Sequence, residues 1–174
     1  MHLPSHLAIS WLIGARLDSR RDRVLVAWAG VAPDLDALAA LWGEEAYGRW
    51  HHVLSHGIVA ALLCAGLISF FSHRKLPVFF LSLCSFHMHL VCDLLGSGTV
   101  WPIVYGFPIS SYEFFTPYGW PLASWQNVSI TFICFLMIGR IAISKGATFA
   151  ECFLPLSWDK KIVEALRNRF GPKP

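Results

Sequence analysis

The sequence predicts an all-α, polytopic membrane bundle of about four to five helices, with a long aromatic loop and a basic amphipathic helix near the C-terminus. Three observations carry that prediction. Hydrophobic residues make up 55% of the 174 residues and charged residues 14%, against roughly 25% charged in a soluble domain. Apolar stretches of helical length recur along the chain. The basic residues gather between those stretches in three groups rather than being spread evenly. A chain of this length is expected to form one membrane-embedded domain over residues 1–174.

Taken in order, residues 3–17 form a short apolar helix candidate. Residues 24–42 are apolar except for Asp34 and Asp36. Residues 53–71 carry no formal charge, and residues 76–95 carry only Asp93. About 20 apolar residues are needed to cross the hydrocarbon core, so these two middle stretches qualify as spans. The stretches 24–42 and 127–143, the latter interrupted by Arg140, are marginal. Residues 96–126 are rich in glycine, proline and aromatics, among them Trp101, Tyr105, Tyr112, Tyr118, Trp120 and Trp125. Such a segment suits the membrane–water interface. Residues 159–170 place apolar side chains at helical spacing among basic ones, which fits a helix lying on a membrane surface or packed on the protein.

Composition also excludes. The net charge of +3 is small and the basic residues are not interleaved with aromatics, so no nucleic-acid partner is expected. The five cysteines form no CxxC pair and four lie in apolar runs, where a thiol acts as a small hydrophobe. No cleavable signal sequence is expected, since the first ten residues hold Pro4 and two histidines and the first basic residue is Arg16.

The basic groups are residues 16–23, residues 74–75 and the chain from Arg140 onward; they hold 13 of the 14 lysines and arginines, Arg49 being the exception. A zigzag chain puts all three on one side. The positive-inside rule makes that side cytoplasmic in an inner (cytoplasmic) membrane, with the opposite side facing the periplasm or exterior.

The chemistry gathers on the opposite side. Seven of the eight histidines fall there, with Asp34, Asp36 and Asp93; only His73 lies in a basic turn. With a rise of about 1.5 Å per residue, His6, Asp34, His56, His89 and Asp93 all sit about 15–26 Å from the basic ends of their own segments. His52 and His56, and likewise His89 and Asp93, are four residues apart and would share a helical face. Imidazole and carboxylate are ligands of zinc, and also of iron or manganese. A bound dication offsets the cost of a carboxylate in an apolar segment. The metal-ligand candidates are His6, Asp34, His52, His56, His89 and Asp93, with zinc the first choice of cofactor. Asp36 and His51 would orient ligands or act as general base. Ser55 reads as a helix-start residue, and Asp34 or Asp36 could instead cap a helix restarting after Pro33.

The order of these motifs resembles the YdjM-type membrane-bound metal-dependent hydrolases. The resemblance rests on His6, Pro33-Asp34-Leu35-Asp36, the run from His51 to His56, and His89-Leu90-Val91-Cys92-Asp93, followed by Gly96, Gly98 and Trp101-Pro102. It covers roughly residues 1–110. Where the family commonly reads His-Arg-Gly-x-Thr-His-Ser, this chain has His52 and Val53 in place of Arg and Gly, which leaves His51 and His52 as alternative ligands. The resemblance implies hydrolysis, and a distant similarity to the all-helical, zinc-dependent phospholipase C and nuclease fold. A phosphoester or phosphodiester of a lipid or lipid-linked substrate, cleaved by metal-activated water, is the expected reaction. A non-catalytic metal-binding or transport-associated membrane protein is the alternative.

Overall fold

The computed structural model describes residues 1–99 and 101–172, and it is built of helices. Seven α-helices run in the order α1 (Leu3–Gly14), α2 (Arg20–Ala29), α3 (Glu44–Trp50), α4 (Ile58–Phe70), α5 (Lys75–Gly96), α6 (Trp125–Lys145) and α7 (Leu156–Phe170). Two 3-10 segments join them, Ala32–Trp42 between α2 and α3 and Phe149–Cys152 before α7. Helices α5 and α6, at 22 and 21 residues, are long and apolar enough to cross a membrane. The bent pair Arg20–Ala29 and Ala32–Trp42 meets the same criteria as one broken span.

The stretch 24–42, expected as one helix, breaks at Gly30 and turns by 52°. Pro33 lacks an N–H and disfavours α geometry at the residue before it, so the chain resumes as a 3-10 helix. The Asp34 N–H bonds the Val31 carbonyl, three residues back, and no side chain caps this segment. The Gly30 carbonyl, which a continuous α-helix would pair with Asp34, is thereby released for another partner.

The stretch 53–71, expected as a span, is helical only from Ile58, and the 13-residue α4 that results is shorter than the helices able to cross a membrane. Residues 51–57 form a turn whose backbone groups bond the long loop instead: Val104 N–H donates to the His52 carbonyl at 3.1 Å and Ile58 N–H to the Tyr105 carbonyl at 2.9 Å. Gly57 permits this closeness, because a Cβ there would stand 2.9 Å from the Tyr105 oxygen. His52 holds φ 68°, in the left-handed region that costs a side-chain-bearing residue energy. His52 and His56 therefore do not share a helical face, and Ser55 does not start a helix. Its hydroxyl donates to the Pro33 carbonyl at 2.5 Å and accepts from Asp36 N–H at 3.1 Å, fastening the turn to the 3-10 segment.

Helices α1, α2 and α5 pack around small residues. A Cβ on Gly30 would collide with the Ser10 side chain, its oxygen only 1.7 Å away. Trp11, fully buried on α1, anchors a core with Leu7, Ala27, Cys134 and Ile138. The long loop between α5 and α6 is tied down by Asn127, whose amide donates to the Gly96 and Leu122 carbonyls at 2.8 Å and accepts from Trp120 Nε1 at 2.8 Å.

The two ends of the bundle differ in kind. At one end Arg23 grips the buried Glu151 carboxylate through Nε and Nη2, each at 2.7 Å, and Trp11 Nε1 donates to the same group at 2.8 Å. Asp22 caps the start of α5 by accepting from the His73 and Arg74 backbone N–H groups at 2.8 and 3.1 Å. Lys145 Nζ reaches the Ala15 carbonyl at 3.3 Å. The three basic groups of the sequence thus meet at one pole. The tail helix packs there too, with Asp159 and Val163 buried and Arg167 Nε donating to the Ile143 carbonyl at 2.9 Å.

Candidate metal centre

At the opposite pole, four side chains from three elements converge. Asp34 comes from the 3-10 segment, His56 from the turn, and His89 and Asp93 from one face of α5. One ligand atom from each lies within 4.8 Å of all the others. His89 Nε2 stands 2.8 Å from Asp93 Oδ2 and 3.5 Å from Asp34 Oδ1, and His56 Nε2 stands 3.6 Å from Asp93 Oδ2. Yet His56 Nε2, His89 Nε2 and Asp93 Oδ2 are buried without a hydrogen-bond partner. Buried polar atoms are nearly always paired, so three unpaired ones facing a common point call for a further group between them.

The backs of the rings show what kind of group would fit there. His89 Nδ1 lies 2.8 Å from the Gly30 carbonyl released by the helix break, and a carbonyl only accepts. The proton of neutral His89 is therefore on Nδ1, and Nε2 presents a lone pair. His56 Nδ1 lies 2.8 Å from Asp36 Oδ2, with the same consequence for its Nε2. Two imidazole lone pairs and two carboxylates facing inward, with the far ring nitrogens bonded to a carbonyl and a carboxylate, are an arrangement that could hold a metal ion. This His/Asp cluster is suited to bind a metal ion.

The other candidates border the cluster. His6 stacks on His89 with ring centroids 3.8 Å apart, and its Nε2 lies 3.1 Å from Asp93 Oδ1. His52 Nε2 is 3.9 Å from Asp93 Oδ2. Burial, reinforced by the neighbouring His56, pushes the His52 pKa down to about 3, so its ring is neutral at physiological pH. His51 Nδ1 donates to Asp36 Oδ1 at 2.8 Å, and its ring stacks on Tyr47 at 4.6 Å. One carboxylate, Asp36, thus holds both His51 and His56. A pocket of about 500 Å³ opens beside the cluster, lined in part by Asp34, Tyr47, His51, His52, Asp93 and Trp101.

Of the remaining histidines, His2 lines this pocket, while His87 and His73 lie elsewhere. His87 bonds the Leu83 carbonyl and the Tyr105 hydroxyl, both at 2.8 Å. His73 is exposed at the basic pole. Sequence reasoning missed the Gly30 carbonyl, which has no side-chain signature, and the Met1 amine, which donates to Asp93 Oδ1 and to Ser97 Oγ.

The family model of the YdjM inner membrane protein matches residues 1–163. The chain belongs to that family. The match spans every element described above except the end of α7, and takes in all eight candidate residues. Curated proteins and solved structures give no match.

Proposed function

We propose that this YdjM-family protein is a membrane-bound, metal-dependent hydrolase acting on a phosphoester or phosphodiester of a lipid-like substrate. The observation that carries the reading is the set of unpaired, inward-facing ligand atoms on His56, His89 and Asp93, beside a pocket whose wall holds His51, itself hydrogen-bonded to Asp36 behind it. Asp34, His56, His89 and Asp93 would hold the ion, with His6 and His52 at its edge, and zinc suits this nitrogen and oxygen donor set. A dication bound there supplies Lewis acidity and a water of lowered pKa.

The protein's own contribution is positional. Asp36 fixes the proton of His51 on Nδ1 and leaves Nε2 as a base for a water entering the pocket. The same carboxylate sets the orientation of His56, so base and ligand keep a constant relation. Tyr47 and Trp101 flank the His51 ring and hold it against rotation. Leu3 and Leu122 give the pocket an apolar rim, suited to a substrate with a hydrocarbon portion. By the positive-inside rule the basic pole is cytoplasmic, and the centre faces the periplasm or exterior.

The test is turnover of bis(4-nitrophenyl) phosphate and of short-chain phosphatidyl substrates by protein purified in detergent and loaded with zinc. Hydrolysis that disappears in His51→Ala while metal stays bound supports the reading. Stoichiometric metal without turnover on any of these substrates would favour a non-catalytic metal-binding protein.

A further inference from the structure

The basic pole carries a second recess, remote from the metal centre and independent of it. Helix α5 alone separates the two ends by about 33 Å. The recess is a cleft of about 740 Å³ between the start of α2, the turn before α5 and the segment leading into α7. Its polar wall includes Arg20, Arg21 and His73, and its apolar wall includes Val24, Leu25 and Phe153.

The charge of the cleft is compensated only in part from within: Arg20 Nε lies 4.0 Å from Glu151 Oε2, while Arg21 has no carboxylate partner among the described residues. Glu151 lines it, but both carboxylate oxygens are taken by Arg23, and one also by Trp11. Arg20 donates Nη2 to the Glu151 and Leu154 carbonyls at 2.8 and 2.6 Å, which fixes its guanidinium at the cleft wall. Its Nε is buried without a hydrogen-bond partner. Arg21 and His73 are exposed. Fixed guanidinium groups match phosphate oxygens in geometry as well as charge.

Exposed aromatic and apolar side chains adjoin the cleft. Phe153 on its wall is 60% exposed, and the chain runs from there into α7, where Leu156 and Trp158 are exposed as well. Aromatic side chains of this kind settle at the membrane–water interface. We propose that this cleft binds an anionic phospholipid, its phosphate on Arg20, Arg21 and His73 and an acyl chain along Val24, Leu25 and Phe153.

Native mass spectrometry of the detergent-purified protein, titrated with phosphatidylglycerol or phosphatidylcholine, tests this. Wild type should retain one phosphatidylglycerol with a preference over phosphatidylcholine of about tenfold or more, as two basic residues near the surface warrant. Arg21→Glu with His73→Gln should reduce that preference to about twofold or less while leaving the unfolding temperature unchanged, since both side chains are exposed. Lys160→Glu, an exposed charge on α7 at the same pole, should keep it. Equal loss in Lys160→Glu would show diffuse attraction and overturn a discrete site. An unchanged preference in the double variant would overturn it too. So would complete displacement of the lipid by millimolar inorganic phosphate, which would mark a free-anion site.

Discussion

Asp36 Oδ2 accepts from His56 Nδ1 at 2.8 Å while Asp36 Oδ1 accepts from His51 Nδ1 at the same distance, so one carboxylate sets the tautomer of two rings. Asp36→Asn replaces one acceptor oxygen by an N–H₂ donor, leaving one of the rings without its partner. Metal affinity should fall about 10–100-fold, the usual cost of losing a group that orients a ligand. Competition with a chromogenic chelator measures this. An unchanged affinity would show that the Asp36–His56 contact does not orient the ligand.

His51 and His87 are both histidines of the site-bearing half, yet their surroundings assign them different fates. His51→Ala should lower kcat about 10²–10⁴-fold, the range for loss of a general base, and leave metal content intact. His87→Ala removes hydrogen bonds to Leu83 and Tyr105, for a stability loss of about 1 kcal/mol each, and should change neither metal nor turnover. Metal analysis and steady-state kinetics on the two variants, side by side, decide it.

The basic pole makes a separate prediction about stability. Glu151 side chain is 1% exposed and serves Arg23 and Trp11 together. Glu151→Ala would leave the half-buried guanidinium and the indole N–H unpaired, costing about 3–5 kcal/mol by analogy with broken buried pairs. Its metal affinity, measured below the unfolding transition, should equal that of wild type because the ligands lie at the other pole. Thermal unfolding in detergent reads the first effect and chelator competition the second.

Topology is tested by single cysteines at Ser72 and Ser111 in a background without the five native ones. An impermeant thiol reagent applied to intact cells should label Ser111 only. Labelling at Ser72 alone would invert the orientation and move the pocket to the cytoplasmic face.

The helical class and the sorting of charge were legible because burial in lipid demands long uncharged segments, and α5 and α6 match the stretches 76–95 and 127–143 closely. The coincidence of His89 and Asp93 was legible for the same reason: four residues on one regular helix share a face. The turn 51–57 was not. Its residues are apolar enough to continue α4, but backbone groups of the turn and of Ile58 are claimed by Val104 and Tyr105, which lie some 50 positions away in sequence. A local reading sees the hydrophobicity and not the competing partner. His52 and His56 meet through that non-local pairing, not through helical spacing. The broken helix at Gly30 was signalled by Pro33, but the purpose of the break, a free carbonyl beneath His89, belongs to the backbone and leaves no mark in side-chain chemistry.

Metal content is the most direct measure of the proposed centre. Protein purified without chelators and analysed by inductively coupled plasma mass spectrometry should carry at least one zinc or other first-row dication per chain. Affinity should fall as pH drops, because imidazole and carboxylate bind metal only when deprotonated. His56→Ala and Asp93→Asn should each lose the metal, and His73→Gln should keep it. Folded wild-type protein that is metal-free, and takes up no zinc, iron or manganese on addition, would contradict the central claim and leave the cluster a hydrogen-bonded packing motif.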